Sequence, residues 1–403
     1  MRNYKCYQST QLIKFFSNDE KFIGFIGENG VGKSAVLQAL NSFFTGQNWI
    51  RNKTGKKGKS KCGVAPVVFC DTKFLQKQNF SETEIKILKD VSNTIKKNLK
   101  ELNLTMGKDA IFLSCMLFQG GNTEMFNGSQ IMREKTEDKI GDKKEDDKYQ
   151  KIAKKVKELF LSYFRYIYID AEVNIDTSAD INFKTFELIK GSGVIKDIEK
   201  ELKRLTIKYK EKKLSISGLI NNIVIQYLDG EVVSKLKEVD KDYDYKNLKP
   251  GAQSKMSEKL IGELATQALF NNRELTKKIQ NKDIEISSMS SGQRRKAFLD
   301  FVVVMISNLD DEVKNKTMLA IDEPEISVDA SSRIQQFEKL RQLSNQGVSV
   351  LFTTHWYGWI IQLIDGSNIL IKENSDGREI YQSSIFDFSN ISILNIKQHK
   401  MRM

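Results

Sequence analysis

The sequence predicts an α/β fold in which a mixed central sheet is flanked by helices and interrupted by a long, largely helical insert. A short apolar strand at 21–27 leads through a glycine-rich turn into a helix at 33–44. A second alternation of strands and helices occupies 283–372, and between these segments the apolar spacing over 193–280 is mostly that of helices. The two outer segments are therefore predicted to share one sheet.

The predicted domain organisation follows from this interruption. The head consists of 1–70 and 283–403, and 71–282 forms a lid or helical insert. The insert also contains the short apolar segments 110–118 and 166–170, which are predicted to be strands. The sequence therefore predicts one α/β head that is discontinuous along the chain.

The composition narrows the class of protein. The chain has 403 residues, of which 40% are hydrophobic, enough for one large domain or two ordinary ones. No segment approaches the roughly 20 apolar residues of a membrane helix, so we expect a cytoplasmic protein with no membrane partner. The net charge of +12, densest at 51–61, favours anionic partners such as nucleic acid. A lysine-rich composition throughout the chain explains the same surplus without such a partner.

The segment after the first strand reads GENGVGKS, which fits the pattern G-x-x-x-x-G-K-[ST] of a phosphate-binding loop. Its glycines let backbone N–H groups point at phosphate oxygens, and the start of the next helix adds partial positive charge. Lys33 is expected to reach the β- and γ-phosphates, and the Ser34 hydroxyl to bind Mg²⁺. The residues predicted to hold the nucleotide here are Asn29, Gly30, Gly32, Lys33 and Ser34.

A second motif follows the apolar strand TMLAI and consists of Asp322, Glu323 and Pro324. In open parallel sheets, ligands bind beyond the carboxyl ends of the strands. Asp322 is predicted to hold Mg²⁺, mostly through water, and Glu323 to orient or deprotonate the water that attacks the γ-phosphate. Alone this motif is weak, but together with the phosphate loop it predicts nucleotide hydrolysis.

Two further motifs are ambiguous when each is taken alone. The segment Met289–Gln293 reads MSSGQ and precedes a helix, so its small residues leave N–H groups open to an anion. The same pattern is typical of a serine N-cap before an ordinary core helix. A β-branched strand at 348–354 ends on His355, and a lone histidine at a strand end is more often structural.

In their order, the four motifs resemble the ABC ATPase superfamily, and GENGVGKS with IDEPEISVD is similar to its RecF, SMC and OLD-type branch. The resemblance covers about 20–70 and 284–372. It implies an ABC-type head that binds and hydrolyses ATP with Mg²⁺ and forms a dimer or higher oligomer, with each nucleotide held between two copies. Ser291 departs from the commoner glycine of the signature motif.

The resemblance also implies roles for individual residues. Ser290, Gly292 and Gln293 form the signature that contacts the γ-phosphate bound to the partner subunit, and His355 contacts the γ-phosphate. The loop that communicates across the dimer contains Ser327 and Asp329, and the candidates for the lid glutamine of the family are Gln119 and the strand end at Glu172.

The sequence after His355 contains no acidic cluster of nuclease type, in contrast to the OLD nucleases. With its insert of intermediate length, the chain resembles stand-alone ATPase components of bacterial anti-phage systems such as PARIS and Septu; the segment 354–359 is most similar to the PARIS type. This resemblance implies a sensor or scaffold that controls a separate effector, often a nuclease. A RecF-like DNA-repair ATPase and an ATP-gated interaction module with negligible turnover stay open as alternatives.

Overall fold

A computed structural model describes most of the chain, in segments separated by gaps. The predictions on the basic stretch 51–61, on Ser327 and on 357–359 concern residues outside these segments. The described residues are 1, 3–7, 13, 21–50, 62–98, 110–126, 143–172, 193–243, 256–326, 328–356, 367–373 and 380–386.

In the described segments, the strands form a six-stranded sheet, a four-stranded antiparallel sheet and two separate hairpins. The strands are β1 (Phe22–Ile26), β2 (Gly63–Val64), β3 (Val67–Cys70), β4 (Ile111–Phe118), β5 (Thr123–Met125), β6 (Arg165–Ile169), β7 (Thr206–Tyr209), β8 (Lys212–Ser215), β9 (Thr276–Ile279), β10 (Lys282–Glu285), β11 (Thr317–Ile321), β12 (Ser349–Thr354), β13 (Ser367–Glu373) and β14 (Ile380–Phe386).

Helices connect and flank these strands. None of the helices in the described segments is both long enough and apolar enough to cross a membrane. The α-helices are α1 (Lys33–Thr45), α2 (Thr72–Lys77), α3 (Glu82–Asn98), α4 (Lys143–Tyr163), α5 (Gly193–Arg204), α6 (Ile216–Ile225), α7 (Val233–Val239), α8 (Glu258–Asn271), α9 (Ser291–Ser307), α10 (Asp311–Asn315) and α11 (Ala330–Asn345).

The chain divides into two compact units. Unit 1 comprises Met1–Val173 and Asn315–Met403, and unit 2 comprises Asn174–Lys314. These boundaries differ from the predicted ones at 70 and 282. The first boundary differs because described residues between 71 and 173 pack into the same hydrophobic core as β1, α1 and β12.

The six-stranded sheet of unit 1 has the order β14-β13-β1-β12-β11-β6. Its neighbouring strands are parallel except for the antiparallel pair β13 and β14, so the sheet is mixed, as predicted. The register pairs Ile26 with Thr354, and Ile321 with Phe352. The carboxyl ends of β1, β12 and β11 therefore meet at one edge, which is where an open sheet binds ligands.

The strand β1 lies in the interior of this sheet, and all five of its residues are buried. Gly24 is required here, because a Cβ atom at this position would lie 2.8 Å from the Phe352 ring of β12. The rings of Phe22 and Phe352 pack with their centroids 4.9 Å apart. This dense packing fixes the strand from which the phosphate loop begins.

The antiparallel sheet of unit 1 places β4 between β2 and β3, with β5 also paired to β4. All eight residues of β4 are buried. The helix α3 turns Leu88 and Ile95 towards this core, and α4 turns Val156 and Phe160 towards it. The strand predicted at 110–118 is thus present as β4, and it packs in the hydrophobic core of unit 1.

Unit 2 contains two hairpins, β7–β8 and β9–β10, in a region predicted to be mostly helical. Each hairpin turns through two residues with positive φ, Lys210 and Glu211 in the first and Gln280 and Asn281 in the second. Such pairs form the tight turns whose twist matches that of a hairpin. The hairpin β7–β8 leads directly into α6, whose N-cap is Ser215, whereas a short 3-10 helix at Ile286–Ser288 separates β9–β10 from α9, whose N-cap is Ser290.

Candidate nucleotide-binding site

The predicted phosphate loop lies between β1 and α1. Gly27, Gly30 and Gly32 have φ values of 149°, 80° and 105°, a region that favours glycine. A Cβ atom at Gly27 would lie 2.2 Å from the carbonyl oxygen of Ile371. Because Gly32 is the N-cap of α1 and has no side chain, it leaves the first N–H groups of the helix available to a phosphate. At the tip of the loop, Asn29 and Gly30 are exposed.

Lys33 begins α1, and its side chain is buried. The ammonium donates hydrogen bonds to the carbonyl oxygens of Gly27 at 3.0 Å and Glu28 at 2.8 Å. Burial lowers its pKa below the ordinary lysine value, and the nearby carboxylates, with Glu323 the strongest, oppose that shift. Two carbonyl oxygens of the phosphate loop therefore hold the Lys33 ammonium above that loop.

Asp322 follows β11 and is 3% exposed. Its carboxylate accepts hydrogen bonds from the Thr353 hydroxyl of β12 and from the Ser34 hydroxyl of α1. Burial raises the pKa of Asp322 above the ordinary aspartate value, and these two hydrogen bonds reduce the shift. The structure thus brings together the two residues that were predicted to hold Mg²⁺.

Glu323 and His355 form the next pair of side chains. The imidazole Nε2 lies 2.8 Å from the Glu323 Oε1, and Nδ1 lies 3.2 Å from the Lys33 Nζ. An ammonium only donates hydrogen bonds, so Nδ1 accepts and the ring proton resides on Nε2, which donates to Glu323. Glu323 has a φ of 47°, and its N–H donates to the Thr353 hydroxyl oxygen at 2.9 Å.

Two residues of this centre were not predicted as site residues. The Thr353 hydroxyl binds both Asp322 and the backbone of Glu323, and therefore fixes the two acidic residues relative to β12. The Glu325 carboxylate accepts a hydrogen bond from the His355 N–H at 2.9 Å. Both residues stand within the motifs DEPE and TTH, but their roles depend on the pairing of β11 with β12.

The predicted signature residues lie in unit 2, at the start of α9. Ser290 is the N-cap: its hydroxyl accepts from the Gln293 N–H at 3.4 Å, and the Gln293 side chain accepts from the Ser290 N–H at 3.3 Å. This is a capping box. Ser290 and Gln293 are exposed, and Gly292 is partly exposed. The start of α9 is therefore exposed to solvent. The capping box by itself accounts for the presence of Ser290 and Gln293 at these positions.

The remaining predicted residues lie near the ends of other elements. The Asp329 side chain caps α11, where it accepts a hydrogen bond from the Ser332 N–H at 3.0 Å. Gln119 donates a hydrogen bond from its side chain to the carbonyl oxygen of Trp49 at 2.8 Å, within the antiparallel part of unit 1. Glu172 follows β6, the strand that neighbours β11. The role of each of these residues stays a prediction.

The residues around Lys33 fit ATP and Mg²⁺. Mg²⁺ is usually bound in such sites by one or two carboxylates together with substrate phosphates and water. The adjacent Asp322 carboxylate and Ser34 hydroxyl supply a suitable pair of oxygen donors. When bound, Mg²⁺ neutralises charge on the β- and γ-phosphate oxygens. The residues of the chain would orient the phosphates and the attacking water.

Taken together, the fold and this site define an ATPase with a phosphate loop and a mixed α/β sheet. A family model named AAA_15 and described as "AAA ATPase domain" matches residues 1–356. The chain belongs to this family of ATPases. The predicted fold class and the predicted ATPase activity are thereby confirmed.

Similarity to solved structures is weaker. The SmcHead bound to the C-winged helix domain of ScpA aligns with a TM-score of 0.44 and 13% identity, over 96% of this chain and 97% of that chain. The SMC head domain from Thermotoga maritima aligns with a TM-score of 0.36 and 12% identity, over 95% and 97%. Similarity at this level carries no information on function. No protein of curated function matches the chain.

Proposed function

We propose that the protein is an ATPase whose two copies close around ATP, with the phosphate loop of one copy and the signature helix of the other completing each site. The observation that carries the proposal is the contrast between two parts of the site. Lys33, Asp322, Glu323 and His355 are already connected by hydrogen bonds and charge. Ser290, by contrast, starts a helix that is exposed to solvent.

In the proposed assembly, the exposed start of α9 contacts the ATP that is bound to the other copy. Backbone N–H groups at the start of a helix attract anions, and this attraction falls off within the first turn. Ser290 and Gln293 satisfy two of these groups in the isolated chain, which leaves others for the γ-phosphate of the partner copy. ATP would therefore connect two copies, and hydrolysis would release them.

Glu323→Gln tests this mechanism. The amide keeps an oxygen that can accept the hydrogen bond from His355, but it is not a base, so we expect ATP binding with slow hydrolysis. Size-exclusion chromatography with light scattering should show a larger species for Glu323→Gln with ATP than without it. Lys33→Ala should stay unchanged in size with ATP. If ATP leaves the size of Glu323→Gln unaltered, the mechanism is wrong.

Ser290→Asp gives a second, sharper test. Aspartate is as good an N-cap as serine, so α9 should stay folded. The added carboxylate would oppose the γ-phosphate of the partner copy, so the ATP-dependent increase in size should disappear from the double variant with Glu323→Gln. ATP affinity of the single chain should be unchanged, because Ser290 belongs to the other half of the site. Ser288→Asp, with the same charge change before the helix, serves as control.

The biological role that we propose is control of a separate effector, such as a nuclease, in cytoplasmic anti-phage defence. The support is the resemblance of the motif set to stand-alone defence ATPases, together with the proposed ATP-dependent assembly. The test is co-expression of the chain with proteins encoded by neighbouring genes, followed by purification and phage challenge. A housekeeping neighbourhood and no change in phage sensitivity would argue against this role.

A RecF-like role in binding DNA is the second candidate, and the hairpin β7–β8 favours it. Lys208 lies directly opposite Lys213 on the two strands, and both are exposed. Like charges in opposite positions destabilise a hairpin unless an anion compensates them. In the hairpin β9–β10 the corresponding pair is Lys278 and Asp283, whose opposite charges compensate each other. A two-stranded ribbon also fits the major groove of DNA.

The two hairpins offer a matched experiment for this candidate. Lys213→Asp reproduces the opposite-charge pair of the other hairpin, and Lys282→Asp makes the same charge change in β10. DNA affinity, measured by fluorescence anisotropy with ATP at several salt concentrations, should fall about tenfold for Lys213→Asp, with a salt slope smaller by about one. The Lys282→Asp protein should bind as the wild type does. Equal losses, or no binding at low salt, would remove this candidate.

A further inference from the structure

Glu325 lies two residues after the predicted catalytic carboxylate, and its side chain is turned inward. It is 7% exposed. Its Oε1 accepts hydrogen bonds from the Thr354 hydroxyl at 2.6 Å and from the His355 N–H at 2.9 Å. The Thr354 hydroxyl oxygen in turn accepts from the Trp356 N–H at 3.0 Å. One carboxylate therefore holds the turn that follows β12 and carries the histidine.

The burial of the Glu325 carboxylate is unfavourable for the stability of the folded protein. A buried carboxylate is unfavourable unless it is fully hydrogen-bonded or paired. The Glu325 Oε2 is buried and has no hydrogen-bond partner among the residues that the structure describes. Glutamine would accept the same two hydrogen bonds without burying a charge.

We infer that Glu325 is a positioning residue that sets the place of His355 and links it to the loop after β11. The carbonyl oxygen of Glu325 accepts a hydrogen bond from the Val328 N–H at 3.2 Å, and Asp329 follows as the N-cap of α11. The inference rests on the proposed ATP-dependent assembly, together with the implication of the family resemblance that this loop, which contains Asp329, communicates across the dimer. A shift of the loop on assembly would move Glu325, and with it the imidazole relative to the catalytic carboxylate.

The proposal differs from a direct chemical role for Glu325. Its Oε1 is engaged by two donors, Thr354 and His355, and its Oε2 is buried, so neither oxygen is placed to take a proton from a water molecule in the nucleotide site. A positioning residue needs an oxygen that accepts hydrogen bonds, but it needs no basic group. Glutamine should therefore replace it, and leucine, which has a similar volume and no acceptor, should not.

The first experiment compares the kinetics of Glu325→Gln and Glu325→Leu. We expect Glu325→Gln to keep kcat within about threefold, and Glu325→Leu to lose on the order of 100-fold, because a misplaced group costs this much in rate. The KM for ATP should change by less than about threefold in both, because neither variant removes the hydrogen bonds of Lys33 to Gly27 and Glu28, and Glu325 is the weakest of the three carboxylates that act on Lys33. If both variants lose kcat equally, Glu325 acts directly. If neither loses it, the proposal is wrong.

The second experiment observes the histidine itself. The chain has two histidines, so the variant His399→Gln leaves one set of imidazole signals in NMR spectra. The ring proton should stay on Nε2 in wild type and in Glu325→Gln, and should distribute over both nitrogens in Glu325→Leu. Unchanged imidazole signals in Glu325→Leu would overturn the proposal. A melting temperature close to that of wild type checks that the variant is folded.

The experiments separate this inference from the proposed dimer. If Glu323→Gln fails to assemble with ATP, the proposed function falls, and the link to a partner copy falls with it. The kinetic difference between Glu325→Gln and Glu325→Leu, and the tautomer of His355, would still show that Glu325 positions the imidazole. If assembly occurs and these differences are missing, the inference alone is wrong.

Discussion

The phenol of Tyr7 donates a hydrogen bond to the carbonyl oxygen of Gly32 at 2.9 Å. This carbonyl shares a planar peptide group with the N–H of Lys33, so its direction determines where that N–H points. Tyr7 is buried, and its ring packs within 3.0 Å of the position that a Cβ atom of Gly32 would occupy. The N-terminal segment 3–7 therefore orients the phosphate loop.

Tyr7→Phe is expected to weaken ATP binding. The variant keeps the ring and loses the hydrogen bond to Gly32, which is worth about 0.5–1.5 kcal/mol, so the dissociation constant should rise about threefold to tenfold. Titration with a fluorescent ATP analogue measures this change. The control is Tyr4→Phe, which removes the buried contact with the Ser42 hydroxyl at 3.1 Å, away from the loop. Equal effects of the two variants would contradict the prediction.

Lys33→Ala is expected to abolish measurable ATP binding. The ammonium would contribute charge-assisted hydrogen bonds to phosphate of about 1.5–3 kcal/mol each, which corresponds to a loss of at least about tenfold per bond. Isothermal titration calorimetry measures the loss. Lys21→Ala is the control, because Lys21 donates to Asn315 and Gly347 outside the site. Binding of comparable strength in Lys33→Ala and Lys21→Ala would show that the assignment of Lys33 is wrong.

Asp322→Asn is expected to stabilise the protein in the absence of nucleotide. Burial raises the pKa of Asp322 above 3.8, so the folded state holds this proton more tightly than the unfolded state does. Wild type therefore loses stability as the pH rises from 3.8 through the raised folded value, and the variant does not. Thermal melting between pH 4 and 8 should show a gap that widens with pH and then levels off. A gap that narrows with rising pH would contradict this sign.

Asp329→Asn tests whether the Asp329 carboxylate at the N-cap of α11 makes the stability of the protein depend on pH. Hydrogen bonds from Ser331 and Ser332 lower the pKa of Asp329 from 3.8 to about 2. The carboxylate therefore contributes stability that is complete above pH 3.8 and is lost as the pH falls through about 2. Urea unfolding should show wild type and variant differing by a constant amount near neutral pH. That difference should shrink below pH 3.8, and a constant difference down to pH 2.5 would refute the prediction.

The phosphate loop and the acidic pair could be predicted because their chemistry is local. A strand, a glycine-rich turn and a helix follow one another within a few residues around Lys33, and the apolar strand β11 leads directly to Asp322. The roles of Thr353 and Glu325 could not be predicted in this way. They arise from the pairing of Ile321 with Phe352, and the sequence carries no signal for which strands become neighbours.

The hairpin β7–β8 was missed for a different reason. Two-residue hairpin turns are recognised in a sequence by Asn-Gly or similar pairs, which adopt positive φ easily. Here Lys210 and Glu211 adopt φ values of 44° and 63°. These residue types are common in helices, so the helical spacing around them dominated the prediction. Tertiary packing against α6 supports the hairpin instead.

The crowding of acidic groups around Lys33 also determines what can enter the pocket. The carboxylates of Glu323, Asp322 and Glu325 all act on this one ammonium, so negative side chains outnumber the positive one. A bare triphosphate would meet repulsion there, whereas a triphosphate that already carries a divalent cation brings the charge that these carboxylates lack. We therefore expect the pocket to favour the metal-bound form of the nucleotide, so that metal and nucleotide arrive as one complex.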